Sequence, residues 1–294
     1  MIHRLENLFD TVAEWRRELV GKYYRFVDGL EARRNVKAGA GQLRPEQSVR
    51  IALRETRVPD GVRVYAIGDV HGRADLLQKL YDKIKSDLGE NGAPGEQAAI
   101  VFLGDYIDRG FQSRDVIEFL SAGAFDGFEP RFLKGNHEEA FLKFLDDASI
   151  GPKWAEFGGR ETLVSYQVQP PRLQEDLDDW ERARRELVDR MPTHHRSFLD
   201  NLEVCLTLGD YVFVHAGLKP GLALEDQSEK DLLWIRDEFL YDKDPFKQVV
   251  VHGHTPIAEP HRDFRRISVD TGAYMSGKLT AACLFEDKVT FIST

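Results

Sequence analysis

The stretch VRVYAIGDVHG, residues 62–72, carries an apolar run into a glycine turn and ends on an aspartate and a histidine. Two further stretches repeat that plan, AAIVFLGDYIDRG at 98–110 and PRFLKGNHE at 130–138. Short, nearly continuous apolar runs suit strands buried on both faces, as in α/β layers. Helical periodicity follows each run and predicts helices near 73–89, 112–122 and 137–146. Downstream, VCLTLGDYVFVHAG (204–217) reads as a hairpin turning at Gly209 and Asp210. QVVVHGH, RRISVDTG, KLTAACLFED and KVTFIST supply more strands. Strands alternating with helices, then a run of antiparallel β, predict a layered α/β fold in which two sheets face each other.

Outward from that core the pattern changes. Residues 1–34 space Leu5, Leu8, Phe9, Val12, Trp15, Leu19, Tyr23 and Phe26 mostly three or four apart among charges, which predicts an amphipathic helical arm. Such an arm is expected to pack on its own domain or to pair two copies into a homodimer; its mixed-sign polar face argues against a membrane surface. Residues 35–60 lose the periodicity and gain Gly and Pro, so they read as a linker to a domain spanning 61–294. Within that domain, 147–200 is polar, helical and rich in charge (PRLQEDLDDWERARRELVDR), and reads as an inserted helical cap rather than core.

Composition excludes several classes. The 294 residues carry 50 acidic and 40 basic side chains, a formal net charge of −10, with 42% hydrophobic residues. That apolar fraction argues against wholesale disorder, and the acidic balance lacks the basic footprint that duplex nucleic acid requires. No stretch has the length and apolarity of a bilayer span, and charges stand where a signal peptide would need its apolar segment, so the expectation is a cytoplasmic protein. Cys205 and Cys283 stand far apart without a CxxC, as two small core residues in a reducing compartment would.

Charged and imidazole side chains sit directly after the strands. Asp69 and His71 follow the first, Asp105 and Asp108 the second, Asn136 and His137 the third; His215 follows VFV, and His252 and His254 follow VVV. Strand ends of one sheet converge at the edge where α/β proteins place their sites. Asp, His and Asn without cysteine suit two divalent ions, Mn first, with Fe, Zn or Mg as alternatives, and an aspartate can bridge the pair. Two such ions can hold an attacking water and a phosphoryl group in line.

Taken in order, GDVHG, GDYIDRG, GNHE, VHAG and GHTP resemble the five-part signature of the phosphoprotein phosphatase branch of the calcineurin-like metallophosphoesterases, in its bacterial type. The resemblance covers about 62–285 and implies an αββα sandwich with a helical cap insertion. It implies that Asp69, His71 and a bridging Asp105 hold one metal, and that Asp105, Asn136, His215 and His254 hold the other. His137 would be the general acid, oriented by Asp108, and Arg109 would bind phosphate. Arg236, in LLWIRDEF, matches the place of a second phosphate-binding arginine. A positioned imidazole lowers the barrier for a poor leaving group, and the planar fork of Arg matches phosphate. His252, one residue before GHTP, is expected at the rim or behind a ligand rather than on a metal. Arg73 reads either as a further phosphate contact or as an exposed helix start. Phe111 stands where relatives carry Pro and would alter only the mouth of the site. His194 and His195 have no partner motif and read as surface residues, while WAEFGGRETLVSY (154–166) resembles a cap loop able to select substrate.

The resemblance implies a dinuclear-metal phosphatase acting on phosphoserine, phosphothreonine or phosphotyrosine in proteins, or on a small phosphoester, through a water shared by the metals. The alternative is a diadenosine tetraphosphate or other nucleotide phosphohydrolase of the same superfamily. Asp108 before Arg109, and GNHE rather than GNHD, favour the protein phosphatase over the symmetrical nucleotide enzyme.

Overall fold

The computed structural model describes residues 56–123, 125–173 and 176–294; the expected N-terminal arm and all but the last residues of the linker lie outside them. Strands β1 (Val62–Ile67), β2 (Gln97–Phe102) and β3 (Glu129–Phe132) alternate with helices α1 (Ala74–Asn91), α2 (Ser113–Ser121) and α3 (Asn136–Asp146). These match the predicted helices to within two residues at each end.

The cap follows as a 3-10 turn (Ala148–Ile150) and helices α4 (Gly151–Ala155), α5 (Gly159–Ser165), α6 (Leu177–Arg190) and α7 (Thr193–Asp200). The hairpin β4 (Cys205–Leu208) and β5 (Tyr211–Val214) turns at Gly209 with φ 59°, as its sequence requires. A 3-10 turn (Leu224–Asp226) leads to short helices α8 (Glu229–Trp234) and α9 (Asp237–Tyr241). The chain closes with β6 (Val249–His252), β7 (His261–Arg262), β8 (Arg266–Ser268), α10 (Ala273–Ser276), β9 (Thr280–Phe285) and β10 (Lys288–Ser293). Only the two-residue β7 has no counterpart among the predicted strands.

Two five-stranded sheets form, ordered β10-β9-β1-β2-β3 and β4-β5-β6-β8-β7. Alternation along the strands sorts their side chains into three apolar layers. Tyr65 and Ile67 of β1 face the helices α1 to α3, whereas Val64 and Ala66 meet Phe213, Val251 and Ile267 of the other sheet. On that sheet's outer side, Val212, Val214 and Val250 pack on Leu232 and Phe239 of α8 and α9. The layering is therefore αββα, and none of the described helices is long and apolar enough to cross a membrane.

The cap is not merely a polar appendage, because Trp154, Leu163, Trp180, Leu187 and Leu199 are fully buried in the same cluster as Phe141 and Phe144 of α3. Its charges dominate composition, but its apolar stripe decides its packing.

The sheet register positions the site. β1 and β2 run parallel with Ile67 opposite Phe102, and β2 and β3 run parallel with Phe102 opposite Phe132. Their C-terminal turns therefore lie side by side at one sheet edge. β5 and β6 are also parallel, which brings the residues after Val214 and His252 to a common edge of the second sheet.

Candidate metal centre

Backbone geometry at these turns is unusual. His71, Asp105, Asp108, Arg109 and His254 all have positive φ, between 45° and 71°; among the described non-glycine residues only Gln167 and Glu286 share that property. Left-handed conformations of such residues cost of order 1–3 kcal/mol each and persist where the surroundings over-determine them. Glycines allow the close approach that this requires: a Cβ on Gly253 would collide with Asp69 Oδ1, and one on Gly135 with Asp105.

The turns bring two trios of buried donors together, His71 with Asp105 and His137, and Asp105 with His215 and His254, each able to hold a metal ion. Asp105 belongs to both. Its Oδ2 lies 3.5 Å from His71 Nε2 and 3.8 Å from His137 Nε2, while its Oδ1 lies 3.4 Å from His215 Nε2. Asn136 Oδ1 and His254 Nδ1 approach His215 Nε2 to 2.9 and 3.1 Å. Asp69 stands outside both trios but joins them through backbone, its two oxygens each accepting from His254 N at 3.1 Å.

Hydrogen bookkeeping tests whether cations fit. His71 Nδ1 lies 2.8 Å from Ile107 O, and His215 Nδ1 lies 2.8 Å from Leu103 O. A carbonyl only accepts, so each Nδ1 carries its ring's hydrogen. Burial holds both imidazoles below their ordinary pKa and hence neutral, leaving each Nε2 a bare lone pair. Those lone pairs face carboxylate and amide oxygens with no hydrogen between them. His71 Nε2 and His254 Nε2 are buried and have no hydrogen-bond partner among the described residues. Acceptors turned upon one another repel unless a cation lies among them, so the donor set fits divalent ions.

A fourth carboxylate adds to this crowding. Asp270, buried on the turn after β8, accepts from Gly272 N at 2.9 Å through Oδ1, while its Oδ2 has no partner among the described residues. Burial, then Asp270 and Asp105, push Asp69 well above the usual carboxylate range. Burial likewise pushes Asp270 up to about 6, although Gly272 N–H and the Arg109 charge oppose it. Only the sequence DTG after an apolar strand signalled Asp270 beforehand. Tyr274 had no such signal; its ring lies 4.8 Å from the Arg109 guanidinium and edge-on to His71 at 5.3 Å.

A second network surrounds His137. Asp108 Oδ2 accepts from His137 Nδ1 at 2.7 Å and from Trp154 Nε1 at 2.9 Å, and Oδ1 accepts from Thr162 Oγ1 at 2.6 Å. The cap thus supplies two of the three donors that orient this carboxylate. Arg109 Nη2 donates to His137 Nε2 at 3.1 Å. Glu138, one residue on, accepts from Gly135 N, Asp105 N and Tyr106 N at 2.8–2.9 Å and staples the second and third turns together.

Arg236 is half-buried between α8 and α9 rather than inside one helix, and Nη1 donates to His254 O at 3.2 Å, beside the trios. Burial and the like charge of Arg109 lower its pKa, which places two guanidinium groups in one field. His252 is buried behind the site, with Nε2 3.2 Å from Arg266 and its ring edge-on to Phe239; it belongs to neither trio. Arg73 caps α1, chelates Asp75 at 2.7–2.8 Å and donates to Ala273 O. Phe111 is 43% exposed. The surface expectation for His195 is overturned, since it is fully buried and bonded to Tyr166 and Glu118.

A family model for the calcineurin-like phosphoesterases matches residues 62–292, the span that carries every one of these turns. The chain belongs to that family. Among curated relatives, the asymmetrical bis(5'-nucleosyl)-tetraphosphatase PrpE of Bacillus subtilis (strain 168) is 29% identical over 239 residues, covering 73% of this chain and 87% of its own. Its namesake in Bacillus mycoides (strain KBAB4) is 27% identical over 231 residues with the same coverage. A crystal structure of a candidate diadenosine tetraphosphatase superposes with TM-score 0.53 at 19% identity, covering 79% of this chain and 93% of that one, a likeness of fold.

Proposed function

We propose that this calcineurin-like phosphoesterase hydrolyses dinucleoside tetraphosphates, with Asp69, His71 and Asp105 holding one divalent ion and Asp105, Asn136, His215 and His254 holding a second. The carrying observation is the convergence of His71, His137, His215 and His254 on Asp105, in a chain whose relatives bear tetraphosphatase names. The sequence alone favours phosphoproteins as substrate; the relatives move nucleotides ahead of them. When bound, the ions would supply positive charge to the phosphoryl oxygens and acidify an attacking water.

The chain's own residues do the rest. Arg109 and Arg236 would grip non-bridging phosphate oxygens through their planar forks. As Arg109 turns to phosphate it vacates His137 Nε2, which can then carry a proton toward the leaving oxygen. Asp108, tied down by Trp154 and Thr162, keeps the His137 ring aimed. Phe157, 38% exposed with its ring 6.4 Å from that of His137, offers a face on which a nucleobase can stack.

The test compares kcat/KM for diadenosine tetraphosphate, a phosphoserine peptide and a phosphotyrosine peptide with Mn-loaded protein, and separates the nucleotide products. The expected outcome is a preference for the dinucleotide of at least about tenfold, with an unequal split into nucleoside triphosphate and monophosphate. Phe157→Ala should raise its KM by about 5- to 100-fold, the range of one stacking contact. Better turnover of either peptide overturns the assignment.

A further inference from the structure

Outside the trios, the cap meets the core through a cluster that the proposed reaction does not use. His194 and His195 open α7, and Nε2 of each turns to the same oxygen of Glu118 on α2, at 3.3 and 2.9 Å. The three donor atoms lie within 4.8 Å of one another. His195 is fully buried, whereas His194 and Glu118 each keep 52% of their side-chain surface exposed, so an ion can enter and retain water.

Its chemistry is that of a cation site. Two imidazoles and a carboxylate without thiolate suit zinc-class divalent ions, and zinc binds such atoms at about 2.0–2.2 Å in a tetrahedron. Ligand atoms around that tetrahedron sit roughly 3.3 Å apart, against 3.3 and 2.9 Å for the two imidazole–carboxylate spacings here. Tyr166 Oη lies 2.9 Å from His195 Nδ1 and can accept its hydrogen. That contact would fix the ring and leave Nε2 free to ligate, the usual task of a group behind a ligating histidine.

We infer that Glu118, His194 and His195 form an additional site for a divalent cation of the zinc class, clipping the cap to the core.

Equilibrium dialysis of the full-length protein against buffered zinc at pH 7.5, followed by metal analysis, provides the test. Glu118→Gln and His194→Ala, both surface changes, should each lose one zinc equivalent relative to the parent chain, while Mn-supported hydrolysis stays unchanged. Zinc should also raise the melting temperature of the parent more than that of either variant. Zinc content equal to the parent's in both variants overturns the inference. So does a loss of zinc accompanied by an equal loss of Mn-supported hydrolysis, which would trace the missing ion to the trios.

Discussion

At the scale of single residues, His137 is the informative position. Its Nδ1 is committed to Asp108, which leaves only Nε2 to serve a substrate. A general acid matters most when the leaving group is strongly basic, as an alkoxide is, and least for a polyphosphate that departs readily. His137→Asn should therefore cut turnover of an alkyl phosphate by about 10² to 10⁴ fold but that of a tetraphosphate far less, with bound metal unchanged. Steady-state kinetics on both substrates with metal analysis decides the matter. Equal losses on both, or a missing metal, would remove His137 from the role of acid. Its candidacy came from the resemblance carried by the ordered motifs, whereas its support was not legible there: Trp154 and Thr162 lie 46 and 54 residues from Asp108 in the chain.

Among elements, α5 of the cap bears most directly on chemistry. Thr162 Oγ1 donates to Asp108 Oδ1 and accepts from Asp108 N at 3.0 Å, so one hydroxyl fixes both ends of that residue. Thr162→Val keeps the shape and removes both bonds. Hydrogen bonds to charged groups contribute about 1.5–3 kcal/mol, so alkyl phosphate turnover should fall by roughly ten- to a hundredfold while the circular dichroism spectrum is retained. Unchanged kinetics would mean that the cap covers the site without orienting it. The element boundaries near the strands were readable because apolar runs, glycines and helical periodicity are local signals. The burial of Trp154 and Trp180 was not, because a charged helix conceals its apolar stripe in composition and reveals it only against a partner.

For the whole molecule, charge is the deciding quantity. The chain carries a formal −10, yet a phosphate pocket must be positive. The two divalent ions proposed above would outweigh Asp69, Asp105 and Asp108, and Arg236 would offset Asp270, the carboxylate that the fold adds. Stripped of cations, the same pocket holds buried carboxylates that repel one another and the substrate. Thorough chelation should abolish hydrolysis and lower the melting temperature, and Mn should restore both. Full activity in metal-free protein, checked by metal analysis, would refute the assignment.

The sequence by itself determined the layered α/β class, the order of the strand-end turns and the Asp, His and Asn residues that those turns carry. Each of these depends on spacing within a few residues, where strand, turn and helix preferences act. Only the tertiary structure decided which donors meet. His215 reaches Leu103 across 112 residues, and His254 reaches Asp69 across 185. The place of Tyr274 beside Arg109 and the meeting of Glu118 with His194 and His195 likewise arise from strands and helices brought together by packing, a long-range outcome that no local pattern records.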